Sequence, residues 1–297
     1  MTHDLHRELA EATQVLGSAG VASPRHDATA LLAWVLRIPK SRLSTQRQLD
    51  ADAVAAYHGA VRRRATREPL QHITGAASFR YLELAVGTGV FTPRPETEVM
   101  AGVAIDELKS LVASGVTSPL AVDLCAGSGA VAIAMATEVP AARVVGVELS
   151  EDAYAYAVRN ATGSGIELRQ GDIAEAVDDL AGTVHVVAAN PPYIPLGAYE
   201  SVEAEARDFE PPLALWSGVD GLEMIAVVAD VAARLLVAGG LVVCEHADVQ
   251  GEVAPAVYAA TGHWTSIRDH DDLAGRPRFV TARRAPRTAI PAGTMSS

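Results

Sequence analysis

The stretch from Leu120 to Glu138 constrains the fold of this chain more than any other part of its sequence. Leu120–Leu124 reads as a short apolar strand, followed by the turn Cys125-Ala126-Gly127-Ser128-Gly129-Ala130 and a helical segment from Val131. Glycines in such a turn adopt dihedral angles closed to other residues and allow close approach to the backbone. A strand, a glycine-rich turn and a helix N-terminus in this order form a site for a nucleotide or nucleoside.

An acidic residue follows at the spacing that such a site requires. The next strand, Ala142–Val147, ends at Glu148, nineteen residues after Gly129. A carboxylate there can accept hydrogen bonds from both ribose hydroxyls, worth about 1.5–3 kcal/mol each. Because Gly127-x-Gly129-x-x-Ala132 also fits the dinucleotide pattern, the motif alone leaves NAD and S-adenosylmethionine both open.

Asp123 helps to separate the two cofactors. It lies inside the strand, four residues before the first glycine, where its charge would repel an incoming pyrophosphate. The same carboxylate can pair, directly or through water, with the ammonium group of a methionine moiety, which favours S-adenosylmethionine. The structural alternative is that Asp123 caps the backbone N–H groups of the turn.

A third strand, Ile166–Arg169, leads into Gln170-Gly171-Asp172-Ile173. Asp172 can accept a hydrogen bond from the exocyclic amine of an adenine, and Ile173 can pack on its ring. Asp172 is equally suited to capping the N-terminus of the segment that follows it. Both roles are compatible with one another.

The tetrapeptide Asn190-Pro191-Pro192-Tyr193 follows the apolar run Val184–Ala189, which reads as a buried parallel strand. Open α/β sheets bind their ligands at this end of their strands. The prolines lack N–H groups and keep the residues before them extended, so the carbonyls of Asn190 and Pro191 can face outward as acceptors. With the Asn190 side-chain oxygen and the flat Tyr193 ring, they suit a planar NH2 group, either of an amide or of an aromatic amine. For the tetrapeptide alone, a turn without function is the alternative.

Two sets of candidate site residues result. The catalytic and substrate-binding candidates are Asn190, Pro191, Pro192 and Tyr193. The cofactor-binding candidates are Asp123, Cys125, Ala126, Gly127, Ser128, Gly129, Glu148, Asp172, Ile173 and Asn190. We expect no metal site, because the acidic run Asp269-His270-Asp271-Asp272 consists of adjacent residues that cannot all face one ion.

The order of these motifs resembles that of class I S-adenosylmethionine-dependent methyltransferases of the Asn-Pro-Pro-Tyr type. Further segments are similar to the PrmC/HemK family of protein-(glutamine-N5) methyltransferases. They are Phe91-Thr92-Pro93-Arg94-Pro95-Glu96-Thr97-Glu98, Pro69-Leu70-Gln71-His72-Ile73-Thr74-Gly75, Phe209-Glu210-Pro211 and Asp272-Leu273-Ala274-Gly275-Arg276. The resemblance runs from about residue 3 to residue 284. Cys125-Ala126 departs from it, since many members carry Gly-Thr or Gly-Cys there.

The resemblance implies both a fold and a function. The expected fold is α/β, a Rossmann-like methyltransferase domain with a seven-stranded sheet, preceded by a small helical domain and a β-hairpin linker. The implied activity is methyl transfer from S-adenosylmethionine to the side-chain amide nitrogen of a glutamine in class 1 peptide-chain release factors, which act in translation termination. The tetrapeptide would hold the glutamine.

Three rival functions differ in what they require of the sequence. A nucleic-acid adenine or guanine N-methyltransferase uses the same tetrapeptide on a flipped base but needs a basic cleft or a separate recognition domain. An NAD-dependent oxidoreductase is favoured only by the glycine pattern. A non-catalytic binding module is disfavoured by the intact acidic residues and the complete tetrapeptide.

Charge and composition narrow the class further. The 297 residues carry a formal net charge of −12. Residues 1–75 hold ten Lys/Arg and seven Asp/Glu, which leaves about −15 for the rest and argues against binding of duplex nucleic acid. The Arg62-Arg63-Arg64 run with Arg67 is either a solvated helix face or an approach to an acidic partner. Two cysteines, no signal peptide and no membrane-length apolar run predict a cytoplasmic protein without disulfides that does not bind membranes.

We expect four segments along the chain. They are a helical substrate-recognition domain over 1–75, a β-hairpin linker over 76–92, a methyltransferase domain over 93–285 and a disordered tail over 286–297. The predicted strands lie near 120–124, 143–147, 166–169, 184–189, 241–245, 263–268 and 277–283. A long helix is expected from Asp220 to Val237, ended by Gly239-Gly240.

Overall fold

The computed structural model describes residues 3–286. The chain divides into two compact units, which we call the helical unit and the sheet unit. The helical unit comprises the chain up to Ala77 together with Ala85–Thr92 and Glu200–Pro211. The sheet unit comprises Ser78–Leu84, Pro93–Tyr199 and the chain from Pro212 onward. The expected tail over 286–297 lies outside the described residues except for Pro286.

Short strands and helices form the first part of the chain. They are β1 (His3–Asp4), α1 (Leu5–Ser18), α2 (Pro24–Leu36), β2 (Gln48–Leu49), α3 (Ala51–Ala65), α4 (Leu70–Thr74), β3 (Ala76–Phe79) and β4 (Leu82–Ala85). Asp4 and Asp50 cap α1 and α3, each accepting a backbone N–H three residues ahead, and Pro24 occupies the first turn of α2. Ser23, the residue before α2, makes no side-chain hydrogen bond to cap it. The apolar faces of α1, α2 and α3 pack around Leu16, Leu31 and Tyr57.

The arginines of the Arg62–Arg67 stretch form ion pairs inside the helical unit. Arg64 is buried, donates from Nε to Asp27 Oδ2 at 2.8 Å, and donates from Nη2 to Glu205 Oε1 at 2.8 Å. Arg67 also donates to Glu205. Arg62 alone of the four is an exposed side chain without an ion pair among the described residues. Most of the basic excess of this stretch is therefore neutralised within the unit.

The sheet unit alternates strands and helices. Its elements continue with α5 (Pro95–Ala113), β5 (Leu120–Asp123), α6 (Ala130–Glu138), β6 (Arg143–Glu148), α7 (Glu151–Asn160), β7 (Glu167–Gln170) and β8 (Val184–Ala189). After α8 (Ala204–Phe209), which belongs to the helical unit, come α9 (Glu223–Leu235), β9 (Leu236–Glu245), α10 (Val253–Ala260), β10 (Trp264–Asp271) and β11 (Pro277–Arg284). The seven-stranded sheet that was predicted is confirmed, with the order β10-β11-β9-β8-β5-β6-β7.

Both faces of the sheet are covered. Neighbouring residues of one strand alternate between two apolar clusters: Ala121 packs on the α5–α6 side and Val122 on the α9 side. This explains why the central strands read as continuous apolar runs. β5 pairs in parallel with both β6 and β8, and the chain reverses its direction of winding between β5 and β8. Their carboxyl ends therefore meet at the topological switch point, where such sheets bind ligands.

The helix expected over Asp220–Val237 is wrong at both ends. The helix covers Glu223–Leu235, and Gly239-Gly240 lie within β9 instead of ending a helix. The reason is strand pairing: Leu236 is the partner of Val184, and the register shifts before Leu241 pairs with Val186. The backbone is close-packed at Gly240, where a Cβ would meet Val237 O at 3.0 Å and His185 O at 3.1 Å.

The buried ion network predicts a large effect of one arginine on stability. We expect Arg64→Ala to lower the free energy of unfolding by about 3 kcal/mol, because it leaves the buried Asp27 carboxylate without its guanidinium partner and removes one of the two arginines that bind Glu205. Urea unfolding followed by circular dichroism measures this. Arg62→Ala, in the same helix, is the control and should change stability by less than about 0.5 kcal/mol. Equal effects of the two substitutions would show that the network contributes nothing.

Candidate active site

The glycine turn lies where β5 ends and α6 begins. Gly127 and Gly129 have φ angles of 54° and 85°, and a Cβ on Gly127 would meet no atom within 4 Å. Open space above the turn is what a ligand approaching the backbone requires. Ala126 and Ser128 are buried, and Ser128 O accepts a hydrogen bond from Asn160 Nδ2 at 2.9 Å. Cys125 is a free, half-buried thiol whose pKa burial raises well above its usual range.

Glu148 borders the same turn from the end of β6. Its Oε2 accepts the Gly127 N–H at 2.7 Å, and its Oε1 accepts the Ser150 N–H at 2.7 Å. Since each carboxylate oxygen has two lone pairs, each still has one acceptor site for a ribose hydroxyl. Burial raises the pKa of Glu148, and the backbone N–H groups oppose that rise.

Asp123 caps backbone N–H groups at the glycine turn, which is the structural alternative to a contact with the cofactor. It is 1% exposed, and its two oxygens accept the backbone N–H groups of Cys125 at 3.4 Å and of Ala132 at 3.1 Å. Burial raises its pKa to about 7, although these two hydrogen bonds act in the opposite direction. Asp123 thus stabilises the turn, and its contact with a methionine ammonium stays a prediction.

Asp172 and Ile173 differ in exposure. Asp172 is exposed, and its Oδ1 accepts the Ala174 N–H at 2.8 Å, which caps a turn and not a helix. Ile173 is buried in the core cluster that contains Val147 and Val177. Contact of Ile173 with an adenine therefore requires its outer edge, whereas Asp172 has an oxygen directed at solvent.

The tetrapeptide leaves the carboxyl end of β8, next to the end of β5. Asn190 is half-buried, and its Nδ2 donates to Thr97 Oγ1 at 3.2 Å. With the nitrogen directed at Thr97, the side-chain oxygen Oδ1 is the acceptor on the other side of the amide. Thr97 is itself buried in the first turn of α5.

The Tyr193 ring packs partly against the core of the sheet unit, and its hydroxyl donates to Glu245 Oε1 at 3.1 Å. Glu245 ends β9 and is 1% exposed. Burial raises its pKa to about 7, and the neighbouring hydroxyls of Thr97 and Tyr193 oppose this rise. The positive charge of Arg278, on β11, also faces Glu245 and Tyr193.

The backbone after the tetrapeptide is held by a second set of contacts. Gln250 Nε2 donates to Tyr193 O at 3.1 Å and to Asp220 O at 3.2 Å. A Cβ on Gly221 would lie 2.2 Å from Tyr193 O, so only glycine fits there. Trp216 stacks on Tyr199 with 5.8 Å between ring centroids, and its backbone bridges Ile194.

The other family-like segments also have structural contacts. Asp272 accepts hydrogen bonds from Ala274 N, Arg276 N and the Arg278 guanidinium, and thereby ties the β10–β11 turn to Arg278. Glu96 lies 3.5 Å from Arg276 and so forms an ion pair with this turn. Within residues 3–286 no group of three His, Cys, Asp or Glu side chains is arranged to hold a metal ion. None of the described helices is long and apolar enough to cross a membrane.

The residues at the switch point fit S-adenosylmethionine. The open backbone at Gly127, the remaining acceptor sites of Glu148 and the exposed carboxylate of Asp172 match a nucleoside with ribose hydroxyls and an amine. Tyr193 and Asn190 lie at the adjacent strand end, where a methyl acceptor would have to be. This fold and site define a class I S-adenosylmethionine-dependent methyltransferase.

Comparison with known proteins agrees with this class and narrows it. The PrmC N-terminal domain family matches residues 9–75, and a methyltransferase domain family matches residues 121–208. Release factor glutamine methyltransferase of Streptomyces coelicolor is 53% identical over 94% of this chain and 97% of its own length. The protein of the same name from Mycolicibacterium smegmatis is 41% identical over 96% of this chain and 99% of its own. The chain belongs to the PrmC/HemK family of release factor glutamine methyltransferases.

A further relative carries a different name. The 4-amino-L-phenylalanine/4-methylamino-L-phenylalanine methyltransferase of Streptomyces pristinaespiralis is 44% identical over 88% of this chain and 89% of its own length. Its name gives 4-amino-L-phenylalanine and 4-methylamino-L-phenylalanine as the molecules on which it acts, and both carry an aromatic amine. The similarity of this chain to both kinds of enzyme bears on the choice of acceptor.

Sequence reasoning missed Thr97 and Gln250 as parts of the site. For Glu245-His246, at a strand end, it weighed a catalytic role and favoured a structural or supporting one, because no Ser or Cys nucleophile motif accompanies the pair. Glu245 had a usable signal, since it ends an apolar run in the strand next to β8 and is therefore at the same edge as Asn190. Thr97 lies ninety-three residues from Asn190 in the chain, and Gln250 lies fifty-seven from Tyr193. No local pattern reports contacts at such separations.

The close approach of Gly221 to Tyr193 O predicts that a side chain at position 221 lowers activity. A control variant at a glycine with the same φ angle separates this contact from the effect of backbone strain. Gly221→Ala should lower kcat by about 10²-fold, because the new methyl group displaces the Tyr193 carbonyl and shifts the tetrapeptide. Gly239→Ala is the matched control: Gly239 has the same φ of 79° but no atom within 4 Å of its Cβ position. Steady-state methyl transfer at matched protein stability measures both. Similar activity of the two variants would exclude this role of Gly221.

Proposed function

We propose that this protein transfers a methyl group from S-adenosylmethionine to the side-chain amide nitrogen of a glutamine in class 1 peptide-chain release factors, in the cytoplasm. The observation that carries the proposal is the orientation of Asn190, whose Nδ2 is committed to Thr97. Its Oδ1 and the Pro191 carbonyl then remain as two acceptors beside the nucleoside site. The near full-length similarity to release factor glutamine methyltransferases supports glutamine as the acceptor.

In this reaction a weak nucleophile, an amide nitrogen, must approach the methyl group in line with the leaving group. S-adenosylmethionine, when bound, supplies an electrophilic methyl group on a sulfonium. The lone pair of a glutamine amide nitrogen is delocalised into its carbonyl, so the nitrogen must be held and polarised. Acceptance of its two N–H bonds by Asn190 Oδ1 and Pro191 O fixes the amide and favours the positive charge that develops on nitrogen.

The remaining residues of the site have supporting parts in this proposal. The exposed part of the Tyr193 ring packs against the flat amide. Gly127, Gly129, Glu148 and Asp172 would hold the cofactor. No strong base is needed before transfer, because the N–H bonds of the product become acidic as the new bond forms.

An aromatic amine is the second candidate acceptor. The same two carbonyl-type acceptors fit an aniline NH2, whose lone pair is also delocalised. The similarity to the 4-amino-L-phenylalanine methyltransferase favours testing it directly. The two acceptors differ in size: one is part of a protein and the other is a free amino acid.

Asn190→Ala tests the role of the side-chain acceptor. We expect kcat to fall by about 10²–10³-fold, as for loss of one preorganised hydrogen-bond partner. Affinity for S-adenosylhomocysteine, measured by isothermal titration calorimetry, should stay within about threefold. A variant with full activity would contradict the proposal, and so would a variant that has lost cofactor affinity to the same extent as turnover.

Mass spectrometry tests the identity of the acceptor. After incubation with S-adenosylmethionine, a release factor should gain a single methyl group on one glutamine, whereas 4-amino-L-phenylalanine under the same conditions should gain none. A release factor whose glutamine is replaced by alanine is the control. Methylation of the aromatic amine alone would establish the second candidate.

A further inference from the structure

Glu245 is connected to both polar side chains of the tetrapeptide. Tyr193 donates its hydroxyl hydrogen to Glu245 Oε1 directly. Asn190 Nδ2 donates to Thr97 Oγ1 at 3.2 Å, and the Thr97 hydroxyl lies beside the same carboxyl and lowers its pKa. Glu245 Oε2 is buried and has no hydrogen-bond partner among the described residues, so this oxygen can accept the Thr97 hydroxyl hydrogen.

The direction of the hydrogen bonds in this chain is determined by the single hydroxyl hydrogen of Thr97. Because Thr97 Oγ1 accepts from Asn190, its own hydrogen is free to be donated to Glu245. Glu245 must then accept from Thr97 and from Tyr193, which an ionised carboxylate does with both oxygens. A protonated carboxyl can instead donate to Thr97, which frees the Thr97 hydrogen to be donated to Asn190 Oδ1 and so removes the preference for the Asn190 nitrogen at Thr97.

The orientation of the Asn190 amide decides whether this side chain presents a hydrogen-bond acceptor or a hydrogen-bond donor to the substrate. With Oδ1 directed at the substrate, it accepts an N–H bond of the reacting NH2 group. With the amide turned over, two NH2 groups face each other and neither has an acceptor. The difference between the two orientations is set outside the tetrapeptide, at Thr97 and Glu245.

We propose that Thr97 and Glu245 are positioning residues, which hold the Asn190 side chain with its oxygen toward the acceptor NH2 group. This inference rests on the proposed methyl transfer to a planar NH2 group, but not on which molecule carries that group. Neither residue touches the reacting atoms. Both act through Asn190 and Tyr193.

The surroundings of Glu245 make the positioning dependent on pH. The charged and titratable groups that face it are Arg278 from β11, Glu96 from α5 and Tyr193 from the tetrapeptide. Burial raises the pKa of Glu245 to about 7, so the ionised form is lost as the pH falls through this value. We therefore expect kcat to decline below about pH 7.

Four single variants test the assignment. Thr97→Val removes the hydroxyl at nearly constant volume, and we expect it to lower kcat by about 10–100-fold with unchanged affinity for S-adenosylhomocysteine. Thr97→Ser keeps the hydroxyl and should retain activity within about threefold. Glu245→Gln should lower kcat and abolish the decline below about pH 7. Thr281→Val is the matched control: it removes the hydroxyl of another buried threonine, hydrogen-bonded to His270, and should retain full activity.

A double variant tests whether the two residues act together. If Thr97 and Glu245 form one chain, Thr97→Val combined with Glu245→Gln should be no slower than the slower single variant, because the second change breaks a chain already broken. Multiplied effects of the two substitutions would overturn the proposal. So would a fully active Thr97→Val variant, or a Glu245→Gln variant that keeps the pH decline.

The same variants separate this inference from the proposed function. Each is assayed with a release factor and with 4-amino-L-phenylalanine. If the wild-type protein methylates only the amine, the proposed acceptor is wrong, and the variants still test the positioning with that substrate. If the wild-type protein methylates the release factor and Thr97→Val does so equally well, the positioning is wrong and the proposed function stands.

Discussion

The parallel pairing of β5 with β8 is the constraint on which the site depends. In this register Asp123 lies opposite Ala188, two residues before Asn190. The strand pairing alone therefore places the glycine turn, which follows β5, next to the tetrapeptide, which follows β8. The two faces of the sheet pack against different apolar clusters. A shift of one residue in the pairing would turn the side chains of a strand to the opposite face and so to the wrong cluster. Core packing on both faces thus secures the distance between cofactor and acceptor.

Two carboxyl groups are buried at this edge of the sheet, for different reasons. Asp123 accepts two backbone N–H groups of the turn, and both of its oxygens are used. Glu245 accepts one hydrogen bond, and its other oxygen has no hydrogen-bond partner among the described residues, although burial is equally unfavourable for its charge. Stability of the fold accounts for Asp123. It does not account for Glu245, which an apolar residue would replace with less desolvation, so a part in the reaction is the better explanation.

The sequence predicted the elements of the sheet well, because buried parallel strands are short apolar runs bounded by turns. It also located Asn190, Gly127 and Glu148 at strand ends, since each follows such a run directly. It predicted less about what those side chains contact. Asp123 in a strand end is compatible with a cofactor contact and with a turn cap, and the positions of Cys125 N and Ala132 N, which show the cap, have no signal in the sequence. The arginines near Arg64 show the same limit: their partner Glu205 is 141 residues away from Arg64 in the chain.

The geometry of the tetrapeptide does not by itself determine which methyl acceptor the protein selects. A glutamine amide and an aromatic amine each present a planar NH2 group whose lone pair is delocalised, and two fixed acceptors serve both. Relatives with either acceptor in their names are 53% and 44% identical to this chain. Discrimination must therefore come from contacts with the rest of the acceptor molecule. The Tyr199–Trp216 stack is a candidate for such contacts, because its backbone is bridged to Ile194, directly after the tetrapeptide. A change there can alter which molecule is admitted while the Asn190 acceptor, held by Thr97, continues to serve the same chemistry.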